Sequence, residues 1–205
     1  MKNGNIDNIF IYWIYFVSII LISIYILESF DFISGLFRED ISYISSIIIF
    51  IFTFYLFRGG YQLYKLRYAI NSLNQHNLSS NNNIFIEILD EYRSSSLNIS
   101  NKKSFQEQLK SRLYEIVDNG FFVADILLKL GIVGTVIGFI IMLSSLSTID
   151  EMNLSKMNNL LLSMSSGMKV ALYTTLSGLI CSILLTIQNN YFENKINNFI
   201  SKILS

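Results

Sequence analysis

The sequence contains no proline, one cysteine and one histidine among its 205 residues. The single cysteine, Cys181, excludes an internal disulfide framework and a cysteine-rich zinc site. The histidine, His76, lies in the polar stretch NQHNLSSNNN, which is typical of a loop, so we expect neither a metal-binding nor a catalytic role for it. Without proline, any kink in a helix must come from glycine.

Charged residues are also scarce, and they are clustered. They make up 15% of the chain, whereas soluble domains carry about 25%. Hydrophobic residues make up 52%, and the formal net charge is zero, so no general attraction to nucleic acid follows. Long charge-free stretches separate the charged clusters, which indicates an integral membrane protein.

Four charge-free stretches are long enough to cross a membrane as helices. The first does not resemble a signal peptide, because Lys2 is its only upstream base, its apolar run is too long and no small-residue cleavage site follows. We therefore predict an all-α polytopic membrane protein with four transmembrane helices. The predicted spans cover residues 9–27, 41–57, 130–149 and 170–192.

Lysine and arginine positions predict the orientation of these spans. The 28–40 connection carries four acids and one base, whereas the section after span two is rich in Lys and Arg. We therefore predict that both termini and a helical section between spans two and three are cytoplasmic. The second span is expected to continue inward as a helix to about residue 75, and 84–94 reads as a short amphipathic helix. The predicted domains are a transmembrane hairpin (1–57), a cytoplasmic helical section (58–119) and a two-span region with a short cytoplasmic tail (120–205).

Small residues recur on one face of each of the last two predicted spans. A helical wheel places Gly131, Gly134, Thr135, Gly138, Met142 and Ser145 on one stripe, and Gly167, Ala171, Thr174, Thr175, Gly178, Cys181 and Ser182 on the other. Such stripes allow membrane helices to approach closely, and threonine can bond its own backbone. The alternative is that the stripes face a polar path or a partner helix, where hydroxyls replace part of an ion's hydration shell.

Neither of these two spans contains an Asp, a Glu or a His. A proton relay within a membrane normally needs such a titratable group. If this chain conducts protons, the titrating group must come from another chain. Just before span three, Asp125 and Lys129 are spaced for an intrahelical ion pair, which is either a solvated pair with a snorkelling lysine or the lining of an inner gate.

The two stripes carry motifs that resemble the MotA/TolQ/ExbB proton-channel family. The segment GIVGTVIGF (131–139) is similar to the family's signature on its penultimate span, and GMKVALYTTLSGL (167–179) looks like the signature of its last span. Thr135 and Thr175 fall on the threonine positions of these motifs. The resemblance covers roughly residues 120–192, and the opening hairpin is closer to MotA than to the three-span TolQ and ExbB proteins.

The resemblance implies a motor subunit in the bacterial inner membrane. Family members form a homopentamer around a dimer of a MotB/TolR/ExbD-like single-span protein, whose membrane aspartate carries the ion. The expected cargo is a proton or a sodium ion, with no cofactor, no enzymatic activity and no nucleic-acid partner, and membrane lipid surrounds the ring. The alternative function is a non-conducting scaffold that holds a partner protein. The predicted ion-pathway residues are Thr135, Thr174, Thr175, Asp125 and Lys129, and the predicted helix-packing residues are Gly131, Gly134, Gly138, Gly167, Ala171 and Gly178.

Overall fold

The computed structural model describes residues 8–29, 34–35, 40, 42–75, 86, 102–144 and 154–204. Over these residues the chain is helical except around Asp40, Ser42 and Tyr43, and it contains no strand, as predicted. The helices are α1 (Asn8–Ser29), α2 (Ile44–Gln75), α3 (Lys102–Ser144) and α4 (Leu154–Leu204). Each of the four contains a segment long and apolar enough to cross a membrane, which confirms the predicted fold class.

Three of the helices extend well beyond a membrane's thickness. α2 continues past its predicted span to Gln75, as expected from the sequence. At a rise of 1.5 Å per residue, the 51 residues of α4 extend for about 76 Å, against a hydrocarbon core of about 30 Å. The predicted amphipathic segment 84–94 lies outside the described residues except for Ile86, which is buried.

The start of α4 differs from the prediction. The sequence placed residues 150–169 in a connection, because Lys156 and Lys169 interrupt the apolar run. The structure instead begins α4 at Leu154, so most of this connection forms its first turns. A charged residue marks where a hydrophobic stretch ends, but it does not terminate a helix. The segment has no proline and is rich in leucine and methionine, which are good helix formers.

The described residues fall into two compact units. The first unit takes its residues from Met1–Ile19, Leu56–Phe121 and Ile187–Ser205. Its core consists of apolar side chains from α2, α3 and α4 together with Ile86, and Trp13 of α1 packs against it. The buried members are Leu63, Leu66, Ala69, Ile86, Leu113, Val117, Phe192, Ile196, Phe199 and Ile200.

The second unit takes its residues from Ile20–Tyr55 and Phe122–Thr186. In it, Asp40 caps the start of α2 with a buried carboxylate. Oδ1 accepts hydrogen bonds from the backbone N–H of Ser42 (3.0 Å) and from its hydroxyl (2.5 Å), and Oδ2 accepts one from the N–H of Ser45 (2.8 Å). Tyr43 lies at φ 57°, an unfavourable conformation for a bulky residue, and the cap helps to hold it there.

Candidate functional site

The two small-residue stripes pack against each other within one chain. The pairing runs in opposite directions along α3 and α4, so the two helices are antiparallel where they meet. We call this contact the α3–α4 seam. Its facing pairs, in order along α3, are Gly131 with Gly178, Gly134 with Thr174, Gly138 with Ala171 and Met142 with Gly167.

Three seam glycines face backbone atoms at distances that leave no room for a side chain. A Cβ on Gly138 would lie 2.6 Å from the backbone N of Ala171 and 2.8 Å from the carbonyl O of Gly167. A Cβ on Gly178 would lie 2.8 Å from the Cα of Gly131, and one on Gly167 would lie 2.7 Å from the backbone N of Met142. Because backbone atoms cannot rotate away as side chains can, the two helices reach this separation only with glycine at these positions.

The other two seam glycines differ from these three and from each other. A Cβ on Gly131 would meet Thr174 O at 3.2 Å and Gly178 Cα at 3.3 Å, which a small shift of the helices relieves. A Cβ on Gly134 would overlap the Cβ and Oγ1 atoms of Thr174, with Cγ2 of that threonine 2.9 Å away. Rotation of the threonine side chain moves Oγ1 and Cγ2 but leaves its Cβ in place. The seam is therefore tight at Gly134, Gly138, Gly167 and Gly178, and loosest at Gly131.

All three predicted ion-pathway threonines donate their hydroxyl protons to carbonyls of their own helix. Thr135 bonds Ile132 O at 2.5 Å, and Thr175 bonds Ala171 O at 2.8 Å. Thr174 bonds Val170 O at 2.9 Å and is fully buried in the seam. A hydroxyl that donates one bond still has acceptor lone pairs, so each threonine can still receive a proton donor or contact a cation.

Thr135 and Thr175 lie on the same edge of the helix pair. Gly134 and Thr174 face each other. The next residue on each helix, Thr135 or Thr175, is rotated by about 100° around its own helix axis. Because the helices are antiparallel, the two rotations point to the same side, which we call the threonine edge. The position of a Cβ on Gly131, 3.4 Å from the Cα of Thr175, agrees with this placement.

The threonine edge is partly open to its surroundings. Thr135 and Thr175 are both half-buried, unlike Thr174. On the opposite edge, the hydroxyl of Tyr173 lies 3.4 Å from the Cβ position of Gly35, so that edge is covered by another part of the second unit. Of the three predicted threonines, two are thus placed where a neighbouring chain has access to them.

Asp125 and Lys129 form the ion pair that their spacing predicts. The Lys129 ammonium donates to Asp125 Oδ2 at 2.5 Å along α3. Their side chains are 54% and 68% exposed, so the pair is not buried within the chain. Such a pair adds little to folding stability, because solvent screens the attraction between exposed charges.

A second group of buried polar residues, in the first unit, was not predicted from the sequence. Gln188 and Asn189 lie on α4 and are 3% and 7% exposed. Gln188 Nε2 donates to the carbonyl O of Leu56 at 3.2 Å, while Gln188 Oε1 and Asn189 Nδ2 have no hydrogen-bond partner among the described residues. The sequence signal for this group is the polar run QNN inside a predicted span. A search for charged residues alone does not detect it.

Glycines in the first unit make room for these side chains. A Cβ on Gly59 of α2 would overlap Nε2 of Gln188, and one on Gly120 of α3 would lie 2.6 Å from Cγ of Asn189. Gly60 makes room for the Trp13 ring in the same way. Within the part of the chain that the structure describes, no group of three or more His, Cys, Asp or Glu side chains is arranged to hold a metal ion.

The four apolar helices and the close antiparallel seam define a multi-pass helical membrane protein. Residues 122–204, which include the whole seam, match the family model described as the MotA/TolQ/ExbB proton channel family. This match supports the resemblance that the two motifs of this region show to that family. No curated protein and no solved structure matches the chain.

Proposed function

We propose that the chain is the ring-forming subunit of an ion-driven motor complex in the bacterial inner membrane. Five copies surround a dimer of a single-span, MotB/TolR/ExbD-like protein. That partner supplies the aspartate that carries the proton or sodium ion. Ion flow past the threonine edge drives movement of the ring relative to the partner.

The observation that carries this proposal is a polar edge without a titratable group. Thr135 and Thr175 lie together on an accessible edge of the α3–α4 seam, yet predicted spans three and four contain no Asp, Glu or His. Hydroxyls can position a proton or coordinate a cation, but they do not titrate in the physiological range. An edge of this composition can hydrogen-bond a carboxylic acid that is supplied by another helix.

The bonding of the threonines specifies their role in this proposal. Each hydroxyl proton is already donated to a backbone carbonyl, so the hydroxyl oxygen acts as an acceptor. It can therefore receive a hydrogen bond from the protonated partner aspartate, or contact a sodium ion. Thr174 lies one residue from this edge inside the seam, and its predicted place in the ion pathway stays a prediction.

The predicted orientation is part of the same proposal. With both termini in the cytoplasm, Asp125 and Lys129 lie at the inner end of span three, where an exit from the pathway would open. The acidic 28–40 connection faces outward. In the structure, two of its carboxylates accept bonds from nearby backbone, Glu28 from Ser34 N at 3.2 Å and Asp40 from Ser42 and Ser45. We therefore assign Asp40 to capping the start of α2.

Reconstitution with the partner tests the proposal. The gene for a short protein with one span and an early membrane aspartate is expected beside the gene for this chain. Co-expressed and placed in liposomes, the pair should carry a proton or sodium current that disappears when the partner aspartate is changed to asparagine. Native mass spectrometry should give five copies of this chain and two of the partner. A stable monomer or dimer in the presence of the partner would contradict the proposed ring.

A non-conducting scaffold is the second candidate function. It is favoured by the same hydrogen bonds, because a threonine that bonds its own backbone satisfies its hydroxyl without an ion. The scaffold predicts a stable complex with the partner but no current in liposomes. Partner binding with no flux for either ion, in a complex of correct composition, would therefore favour the scaffold.

A further inference from the structure

The apolar part of α2 is longer than a membrane requires. The segment Ile44–Ala69 is apolar enough to cross a membrane, and its 26 residues rise by about 39 Å. The hydrocarbon core of a bilayer is about 30 Å thick. The charge-free run that defines predicted span two ends before Arg58 instead. Hydropathy and charge therefore give different ends for the part of α2 that lies in the membrane.

The exposed large side chains at the start of α2 and along it change in type with position. Each follows the previous one by three or four residues, so the helical ones share one side of α2. Tyrosine stands at both ends of the row, and isoleucine and phenylalanine stand between. We call this row the α2 exposed face, and its members are Tyr43, Ile47, Phe50, Phe54, Phe57, Tyr61, Tyr64 and Tyr68.

This order of residue types matches a hydrocarbon layer and its two surfaces. Isoleucine and phenylalanine suit hydrocarbon, whereas the tyrosine hydroxyl needs a polar partner, so tyrosine is enriched where the membrane meets water. Tyr61 lies 18 residues after Tyr43 and is the first exposed tyrosine beyond the phenylalanines. The rise between the two tyrosines is about 27 Å, which agrees with a hydrocarbon core of about 30 Å.

Tyr43 adopts a backbone conformation that is unfavourable for a bulky residue. Its φ is 57°, and its side chain is 72% exposed. Its carbonyl accepts the hydrogen bond of the Ile47 N–H at 3.1 Å, so it lies at the very start of α2. Glycine would adopt this conformation without strain. Packing within the chain does not account for a tyrosine here, because the side chain is exposed, whereas a role at the membrane surface does.

We propose that Tyr43 and Tyr61 lie at the two surfaces of the hydrocarbon core, and that lipid acyl chains cover the α2 exposed face between them. Their hydroxyls hydrogen-bond to headgroups and water. The centre of the membrane then lies level with Phe52, midway between the two tyrosines. The proposal requires only that α2 crosses a membrane. It does not depend on ion conduction, so its failure and that of the motor proposal are distinguishable.

Two polar groups of α2 lie between these limits, and each has a way to remain there. Arg58 is three residues before Tyr61, about 4.5 Å deeper, and the long arginine side chain can extend its charge to the headgroups. The carbonyl O of Leu56 lies about 7.5 Å deeper than Tyr61 and accepts the hydrogen bond from Gln188 Nε2. That bond is thus made at a depth where polar groups need a partner within the protein.

Spin labels on the α2 exposed face measure its depth directly. The Cys181→Ala chain, with its partner where the two co-purify, is placed in liposomes of phosphatidylcholine and phosphatidylglycerol. Electron paramagnetic resonance power saturation compares the collisions of each label with oxygen, which is enriched at the membrane centre, and with a water-soluble nickel chelate. The labels are attached to four single-cysteine variants, Ile47→Cys, Phe50→Cys, Phe54→Cys and Phe57→Cys.

The proposal predicts a symmetric depth profile. Positions 50 and 54 are equally far from Phe52, so their labels should be equally deep. Labels at 47 and 57 should match each other and lie about 4.5 Å nearer the surfaces. If the membrane covered only the charge-free run 41–57, the labels at 47 and 50 would be deepest. If it were centred on Ile44–Ala69, the label at 57 would be deepest, and either order would overturn the proposal. Low oxygen collision at all four positions would mean that another protein chain covers the face, which would overturn it too.

A matched pair of tyrosine variants tests the role of the hydroxyl. Tyr61→Phe leaves Tyr64 as the next exposed tyrosine, so the centre should move toward Phe54 and the label at 54 should lie about 4 Å deeper than the label at 50. Tyr68→Phe removes a hydroxyl from the same face beyond both limits and should leave the two depths equal. Equal depths in the Tyr61→Phe variant would overturn the assignment of Tyr61 to the membrane surface.

Discussion

Glycine makes close packing possible in both units, but against different neighbours. In the α3–α4 seam of the second unit, Gly138, Gly167 and Gly178 face backbone atoms of the opposite helix. In the first unit, Gly59 and Gly120 face the amide side chains of Gln188 and Asn189. In one region glycine brings two backbones together, whereas in the other it makes room for a buried polar group.

This difference determines how each region should respond to an added methyl group. A backbone neighbour cannot turn aside, so the helices themselves must separate. A side-chain neighbour can adopt another rotamer or be shortened by a second substitution. Gly→Ala changes in the two units should therefore differ in whether a second change can rescue them.

The largest effect is expected for Gly138→Ala. Its Cβ would lie 2.6 Å from the backbone N of Ala171, so α3 and α4 must move apart. We expect the free energy of unfolding to fall by about 2 kcal/mol, because overpacking costs exceed the helix propensity gained from alanine. Thermal unfolding of the purified chain in detergent measures this effect.

The matched control for this prediction is Gly131→Ala in the same seam. There the nearest contact would be 3.2 Å, so the melting temperature should stay near that of the parent or rise slightly. Equal losses at both positions would show that the seam does not discriminate between the tight and the loose glycine, contrary to the distances in the structure.

The next effect is expected for Gly59→Ala in the first unit. The new methyl displaces the Gln188 amide and breaks its hydrogen bond to Leu56 O, which should cost about 1–2 kcal/mol because the amide is buried. Shortening the neighbour by Gln188→Ala should remove most of this cost, so the double variant should be more stable than the sum of the single effects predicts. A double-mutant cycle of unfolding free energies measures this coupling.

Gly60→Ala provides the control for this cycle. Gly60 faces the Trp13 ring rather than Gln188, so its effect should simply add to that of Gln188→Ala. Additive effects at both glycines would contradict the assignment of Gly59 to the Gln188 side chain.

A smaller effect is expected at Gly134. This position tests whether the response to an added methyl group depends on the neighbouring atoms or on the unit to which the glycine belongs. Gly134 belongs to the seam, but it faces the side chain of Thr174. We expect Gly134→Ala to destabilise the chain by about 1 kcal/mol. In a double-mutant cycle, Thr174→Gly, which removes the overlapping Cβ, should relieve that loss, whereas Thr174→Ala keeps this Cβ and should not. A Gly134→Ala variant that no shortening of Thr174 rescues would mean that backbone separation controls the whole seam.

The smallest effect on stability is expected for exchanging the charges of Asp125 and Lys129. The pair is exposed, so Asp125→Lys with Lys129→Asp should change the free energy of unfolding by less than about 1 kcal/mol. Ion flux then separates the two interpretations of the pair. Unchanged flux indicates a solvated pair, whereas lost flux in a stable protein indicates that the exit needs the carboxylate at position 125.

The sequence predicted the helices well because hydrophobic length and charge clusters report directly on membrane spans. The continuation of α2 to Gln75 followed from a helical pattern without proline. The early start of α4 was missed because lysines end an apolar stretch without ending a helix.

The residues that each stripe contacts could not be predicted from a single sequence, for a related reason. Periodicity identifies the face on which Gly138 and Thr174 lie, but not the surface opposite that face. The structure places the two stripes against each other and leaves Thr135 and Thr175 at the edge. Gln188 was overlooked because an uncharged amide does not interrupt a charge-free stretch, although its burial needs a glycine on another helix.

The most direct test of the motor proposal is ion flux through a complex that lacks the two edge hydroxyls. Thr135→Val/Thr175→Val keeps the shape of the side chains and removes the acceptor oxygens, while Thr135→Ser/Thr175→Ser keeps the oxygens and serves as the control. In liposomes with the partner, we predict that the valine variant assembles normally and loses about 10-fold or more of the flux, as expected for a lost hydrogen bond to a charged or protonated group. The serine variant should conduct. A valine variant that conducts as well as the parent would contradict the account, because the threonine edge would then serve only in packing.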